Sequence, residues 1–257
     1  MTIIQSIVLG VIEGITEFLP VSSTFHLINA ANFLKIKQTD FVKLFEVFIQ
    51  SGAILAVLFL YFKELKNNIS LIKKICVSFA PTAIIGFLLY KVIKQVFFES
   101  QYLMIAVFIF IAFLFLIIEI LVKKGFIQIK HTLNNFSYKQ ALLIGLFQSI
   151  AIIPGVSRSG IVILAMMFIG FRRDESAKFS FMLAIPTIFA ASLFDLYKMR
   201  HIALSNIGNI GILLIGFLVS FIFAYISVRW FIKFLHKNTL VPFGIYRLVI
   251  AIILLGI

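Results

Sequence analysis

Gly10-Val-Ile-Glu13-Gly-Ile-Thr-Glu17-Phe-Leu-Pro20-Val-Ser22-Ser23-Thr24-Phe-His26 is an apolar stretch that carries two carboxylates, a proline and a run of hydroxyls before a histidine. A charged side chain at the bilayer centre costs roughly 2.5–3.5 kcal/mol on insertion scales. Two carboxylates four residues apart therefore need a partner, a use or a wet cavity. The surrounding chain makes the bilayer the setting. It has 257 residues, of which 62% are hydrophobic, against about 45–50% in soluble domains. In lipid, helices satisfy their own backbone groups, so the expected class is an all-α polytopic membrane protein.

A full crossing needs ~20 mostly apolar residues. Six segments qualify, at 41–62, 75–96, 102–122, 175–198, 207–230 and 240–257. Residues 3–34 and 140–170 do not read as single crossings. The first is broken at Pro20-Val-Ser-Ser, the second at Pro154-Gly-Val-Ser-Arg-Ser-Gly160. Each reads as a re-entrant helical hairpin, whose irregular turn is tolerated at depth only where protein or water covers it.

The two broken regions resemble each other. Gln5, Gly10 and Glu13 recur as Gln140, Gly145 and Gln148, and Pro20-Val-Ser-Ser recurs as Pro154-Gly-Val-Ser-Arg-Ser. Asp40 and Phe45 recur as Asp174 and Phe179. The chain therefore reads as one domain, 1–257, built of two repeats of about 1–122 and 137–257. One hairpin plus three crossings per half is an odd count, so the second half is expected inverted, with both hairpin tips near the midplane. The loops on one side carry fourteen Lys and Arg residues, against seven on the other side, where Lys91 and Lys94 lie. Positive-inside bias makes the first side cytoplasmic and turns the mouth of the first hairpin outward.

Net charge is +13. Loop bias and anionic lipid account for it. Charges scattered between apolar runs do not form a nucleic-acid surface. Cys76 is the only cysteine, which excludes an intrachain disulfide. The N-terminus lacks a basic leader segment, and Glu13 and Glu17 interrupt the apolar run behind it, so a cleaved signal peptide is not expected.

Glu13 and Glu17 share one face of the first half-helix with Gly10 and Gly14. Paired carboxylates can hold a divalent cation, Mg²⁺ or Ca²⁺, or supply a general base. Ser22 and Ser23 stand at the start of the second half-helix, with Thr24 and His26 following. A helix N-terminus suits phosphate, and a hydroxyl near an imidazole is a nucleophile–base pair. In the second hairpin, Ser157, Ser159 and Gly160 surround Arg158, a planar cation suited to phosphate oxygens. Gln148 takes the place of Glu13 and could donate a hydrogen bond. Glu46 and Gln50 could line the cavity, Glu119 is expected to pair locally with Lys123, and Arg247 with an acid. Cys/His metal spacing is absent, so zinc is not expected. Together the parts fit phosphoryl transfer from a lipid-linked phosphate to water. The rival reading is a lipid-phosphate flippase or anion transporter that uses the same site without cleavage.

At this point the motifs resemble a known family. Glu13-Gly-x-Thr-Glu17-Phe-Leu-Pro-Val-Ser-Ser-Thr-x-His26 and Pro154-Gly-x-Ser-Arg-Ser-Gly160 are similar to the signatures of bacterial undecaprenyl pyrophosphate phosphatase, also called the bacitracin-resistance protein. The likeness extends to Phe45-Glu46-Val-x-Ile-Gln50, Phe179-Ser-Phe-x-x-Ala-x-Pro186, Asp195-Leu-Tyr-Lys198 and Pro242-Phe-x-Ile-Tyr-Arg247. It implies hydrolysis of undecaprenyl pyrophosphate to undecaprenyl phosphate, the carrier for peptidoglycan, in the bacterial cell membrane. It also implies divalent-metal dependence, an inverted-repeat fold, and a site that includes Glu13, Glu17, Ser23, His26, Ser157 and Arg158. The nucleophile is left open between Ser23, His26 and water. Phe25 stands where the family usually has Gly, and Val162 where a hydroxyl is common. Homodimers are common among such bundles, and no stretch here marks an interface.

Overall fold

The structure is a computed structural model that describes residues 1–96, 101–198, 200, 201 and 207–256. The described chain is helical: α1 (Ile3–Thr16), α2 (Ser23–Phe33), α3 (Asp40–Asn67), α4 (Ile69–Val96), α5 (Gln101–Lys123), α6 (Tyr138–Ser149), α7 (Arg158–Phe168), α8 (Arg173–Lys198), α9 (Ile207–Leu235) and α10 (Val241–Leu255). Among the described residues, five helices are long and apolar enough to cross a membrane: α3, α4, α5, α8 and α9. The sixth expected crossing, 240–257, is the helix α10, whose 15 residues make it about 22 Å long at the α-helical rise. Ile257 and the side chains of Lys91 and Lys94 lie outside the described residues.

Both broken regions break where their sequence predicts. α1 and α2 have 14 and 11 residues, α6 and α7 have 12 and 11. None reaches the ~30 Å of a hydrocarbon core. The local chemistry of the two pairs is the same. Thr2 with Gln5 and Ser137 with Gln140 each form a reciprocal capping box at the first helix, which satisfies backbone donors that the helix itself cannot. Each second helix follows a serine in the left-handed region, Ser22 at φ 66° and Ser157 at φ 72°. Such a backbone is costly for a side chain with a Cβ and persists only where the surroundings hold it.

Packing crosses between the halves. α1 lies along α9 and α6 along α4, while α3 meets α8 and α5 meets α10. Small residues allow the close approach. A Cβ on Gly10 would sit 2.8 Å from the Gly216 carbonyl oxygen, and one on Gly145 would collide with the Ser78 carbonyl. Hydroxyls add bonds across the same seams: Ser6 donates to the Ile212 carbonyl at 2.8 Å and Ser78 to the Ala141 carbonyl at 2.7 Å. Close contact and side-chain hydrogen bonds are what hold helices together in lipid, where apolar burial drives little. Rings such as Phe33, Phe59 and Phe87 stay exposed on the outside.

One polar network departs from its expected pairing. Glu119 does not pair with Lys123. It accepts from Arg173 Nε at 2.8 Å and from a second Arg173 nitrogen, and from the Leu240 backbone N–H at 2.8 Å. A bidentate guanidinium and a buried N–H outweigh an exposed local ion pair worth a few tenths of a kcal/mol. Glu119 thus ties α5 to the starts of α8 and α10.

Candidate functional site

The site forms where the two breaks meet. Glu17 ends α1, and its carboxylate takes one donor from each hairpin. Arg158 Nη2 donates to Oε1 at 3.1 Å, and Ser23 Oγ donates to Oε2 at 2.5 Å. The pair is mostly out of solvent, with 12% of the Arg158 side chain and 7% of Glu17 exposed. Arg158 also donates to the Ser180 carbonyl of α8 at 3.0 Å. Removing one partner of such a pair leaves the other buried and uncompensated.

The second hairpin braces the first. Ser159 Oγ donates to the Leu19 carbonyl at 3.1 Å and lies 3.2 Å from Ser157 Oγ, which accepts from the Gly160 N–H at 3.2 Å. Ser157 therefore caps α7. Ser22 stands at the equivalent place before α2 but makes no side-chain cap bond.

Arg247 does not meet an acid. It is fully buried and donates to three carbonyls: Phe108 at 3.1 Å, Pro20 at 3.1 Å and Gly155 at 2.5 Å. Pro20 and Gly155 belong to the two hairpin turns, so one guanidinium on α10 ties both turns together. It lies 4.1 Å from the Phe108 ring centre, a geometry in which the ring face attracts the cation. Arg247→Met would leave buried carbonyls unpaired at about 1–3 kcal/mol each. We expect the variant to unfold at clearly lower temperature and to lose activity with Ser23, Glu17 and Arg158 all intact; thermal unfolding in detergent alongside phosphate release reads both.

A cavity of about 230 Å³ opens at this junction, lined by Glu17, Ser22, Ser23, Thr24, Gln50, Ser157, Arg158 and Thr187, with Ile153, Pro154 and Ile188 beside them. α2 and α7 both start at its wall, so two helix N-termini add partial positive charge to that of Arg158. The expected residues Glu17, Ser22, Ser23, Thr24, Ser157 and Arg158 share the cavity, as does Gln50. Ser159 and Gly160 stand behind it as braces. Gln148 donates to Thr82 at 2.9 Å and Thr187 at 3.3 Å, one layer behind the wall. Glu46 is engaged with Gln38 at 3.5 Å.

His26 also lies off the cavity. Its Nδ1 is 2.8 Å from the Ser22 carbonyl and its Nε2 is 2.7 Å from the Tyr246 hydroxyl. The next residue back, Phe25, is buried and stacks on Phe108 at 4.2 Å, so the bulk in place of Gly is absorbed by packing. Val162 is fully buried in the core. Thr187 was not singled out from the sequence; it directly follows Pro186, and that adjacency is its only signal. Tyr246 stood inside the quoted Pro242–Arg247 motif, but with no role attached.

Glu13 is fully buried, and neither of its carboxylate oxygens has a hydrogen-bond partner among the described residues. Its charged neighbours are Glu17, Glu46 and Arg158. Bare carboxylate oxygens beside a second carboxylate fit an oxygen-ligated divalent cation. Among the described residues, no three His, Cys, Asp or Glu side chains cluster around one point, so a cation here would draw on Glu13 and Glu17 alone among them.

Fold and site together define an all-helical, multi-pass membrane protein with a polar pocket where the α1–α2 and α6–α7 breaks meet. The chain belongs to the family of the bacitracin resistance protein BacA, whose family model matches residues 6–253. It is 48% identical over 255 residues to the undecaprenyl-diphosphatase of Persephonella marina, covering 99% of this chain and 98% of the relative. The undecaprenyl-diphosphatases of Campylobacter hominis and Aquifex aeolicus are each 47% identical, covering 98% of this chain and 97% of the relative.

Proposed function

We propose that this chain hydrolyses undecaprenyl pyrophosphate to undecaprenyl phosphate and inorganic phosphate, and so returns the lipid carrier to cell-wall synthesis. The observation that carries the chemistry is Glu17 held between Ser23 and Arg158, with all three on the wall of one cavity. Binding an anion needs the arginine; it does not need a hydroxyl already hydrogen-bonded to a carboxylate. That pairing activates a nucleophile.

In this reading Arg158 and the two helix N-termini hold the pyrophosphate, while Ile153 and Ile188 meet the first part of the isoprenoid. The cavity is too small for the whole tail, which lies in lipid. Ser23 Oγ attacks the terminal phosphorus and passes its proton to Glu17 Oε2. The bond from phosphorus to the bridging oxygen breaks, and undecaprenyl phosphate leaves with that oxygen and takes the proton from Glu17. Water then attacks the phosphoserine, Glu17 takes a proton from it, and Ser23 Oγ regains a proton as phosphate departs. Arg158 stabilises the charge that builds on the phosphoryl oxygens in both steps. Glu13 and Glu17 would hold a Mg²⁺ or Ca²⁺ ion, which supplies further positive charge against the pyrophosphate. His26 positions α2 through Ser22 and Tyr246.

The same reading takes the fold as six membrane helices, with α10 the shortest, plus two re-entrant hairpins inserted from opposite faces as an inverted repeat. The matching capping boxes, the matching left-handed serines and the reciprocal packing of α1 on α9 and α6 on α4 support it. The basic loop bias supports a first hairpin open to the outer face of the cell membrane.

The test is phosphate release from undecaprenyl pyrophosphate by the purified full chain in detergent, with Mg²⁺ or Ca²⁺ and then with EDTA. Release that EDTA abolishes, and that added cation restores, is expected. No release with cation, together with transbilayer movement of the lipid in vesicles, would replace hydrolysis with transport.

A further inference from the structure

Away from the cavity, α3 and α9 frame a second, open groove of about 580 Å³, lined in part by Tyr61, Arg229, Trp230, Ile232, Lys233 and His236. It lies on the side of the bundle that carries the larger set of basic residues. Arg229 and Lys233 are spaced i, i+4, so both lie on one face of α9. Both are exposed, and Trp230 on the same turn is half exposed.

The local acids have other partners, and among the described residues only Asp174 touches the groove lining, through His236. Glu64 takes Lys178 at 2.7 Å, Asp174 takes Arg172 at 3.0 Å and His236 at 3.0 Å, and Glu175 accepts the Leu133 N–H at 2.8 Å. Among the described residues, Arg229 donates to the Tyr225 hydroxyl at 3.2 Å and lies 5.5 Å from the centre of that ring. Neither Arg229 nor Lys233 forms an ion pair among the described residues. Two cations without acidic partners and a tethered imidazole thus follow one another along about 10 Å of the α9 end, with Trp230 and Tyr61 beside them and Leu60 and Val228 on the apolar part of the same wall.

This is the charge and polarity profile of a lipid standing on end. Trp and Tyr favour the boundary between headgroups and hydrocarbon, and basic pockets between membrane helices bind anionic headgroups. We propose that the groove between α3 and α9 is a binding site for an anionic phospholipid, with its phosphate on Arg229 and Lys233 and an acyl chain running past Leu60 and Val228. The site is separate from the catalytic cavity, shares no residue with it and stands whether or not the hydrolysis reading does.

The experiment is native mass spectrometry of the delipidated full chain in detergent, titrated separately with phosphatidylglycerol, phosphatidylcholine and inorganic phosphate. Wild type is expected to take one tight phosphatidylglycerol molecule, with much weaker phosphatidylcholine binding and no stable phosphate adduct. The double variant Arg229→Ala/Lys233→Ala should bind phosphatidylglycerol about 30-fold more weakly, given the typical attraction per basic residue. Lys123→Ala/Lys124→Ala, which removes two other exposed cations, should bind it as wild type does, and phosphate release in detergent should be unchanged in both. Equal binding by the groove variant and wild type would overturn the proposal. So would equal phosphatidylcholine affinity, a phosphate adduct as tight as the lipid's, or equal loss in the Lys123/Lys124 control.

Discussion

Arg158→Ala will lower phosphate release by about 10³-fold. Removing one preorganised donor from a developing oxyanion costs ~10²–10³ in rate, and arginines that meet transferring phosphoryl groups are worth 10³–10⁵. Arg158 holds its guanidinium against the cavity with two bonds, to Glu17 and to the Ser180 carbonyl. The alanine variant loses the phosphate seat and also frees Glu17 from its partner. Arg158→Lys keeps the charge without the planar fork, so it should recover only part of the rate. Steady-state phosphate release separates these outcomes, with thermal unfolding of each variant as the folding control. An alanine variant that stays folded and turns over at the wild-type rate would remove Arg158 from the site.

Ser23→Ala will cost at least as much, and His26→Ala about tenfold. The difference follows from placement. Ser23 lines the cavity and donates to Glu17 at 2.5 Å. His26 has one ring nitrogen on a backbone carbonyl and the other on Tyr246, so its loss loosens α2 without removing a reacting atom. The intermediate should be an acid-stable phosphoserine, trapped by quenching a labelled turnover. An acid-labile phosphoryl group that vanishes in His26→Ala and survives in Ser23→Ala would reverse the assignment.

Much of this arrangement was legible in the chain itself. Pro20 and Pro154 with their flanking serines mark the breaks, because they interrupt apolar runs too long for any other reading. Glu13, Glu17 and Arg158 stand out because charge inside such runs is expensive. What stayed hidden depends on distant backbone. Arg247 was expected to meet an acid, but its partners are carbonyls of residues 20, 108 and 155, and a carbonyl leaves no trace in side-chain identity. Glu119 has Lys123 at helical spacing, yet Arg173, 54 positions away, takes it. His26 shares a motif with Ser23 and lies only about 60° round the helix from it, but the Ser22 carbonyl and the Tyr246 hydroxyl of α10 hold its ring off the cavity, and neither partner shows in the spacing. Thr187 and Tyr246 became relevant only once α8 and α10 were packed against the hairpins.

The most direct measurement is a proximity test between the two turns. In a Cys76→Ser background, Leu19→Cys with Ser159→Cys places thiols at two neighbouring residues, where the Ser159 hydroxyl now donates to the Leu19 backbone carbonyl at 3.1 Å. Mercury cross-linking in native membranes, followed by cleavage at a protease site introduced in the loop between α5 and α6, reports whether the halves stay joined. Halves that remain linked, and separate when the mercury is removed with excess thiol, are the predicted result. Halves that run apart at every mercury concentration, while each single thiol reacts freely, would mean that the two turns do not meet and that Glu17 and Arg158 share no site.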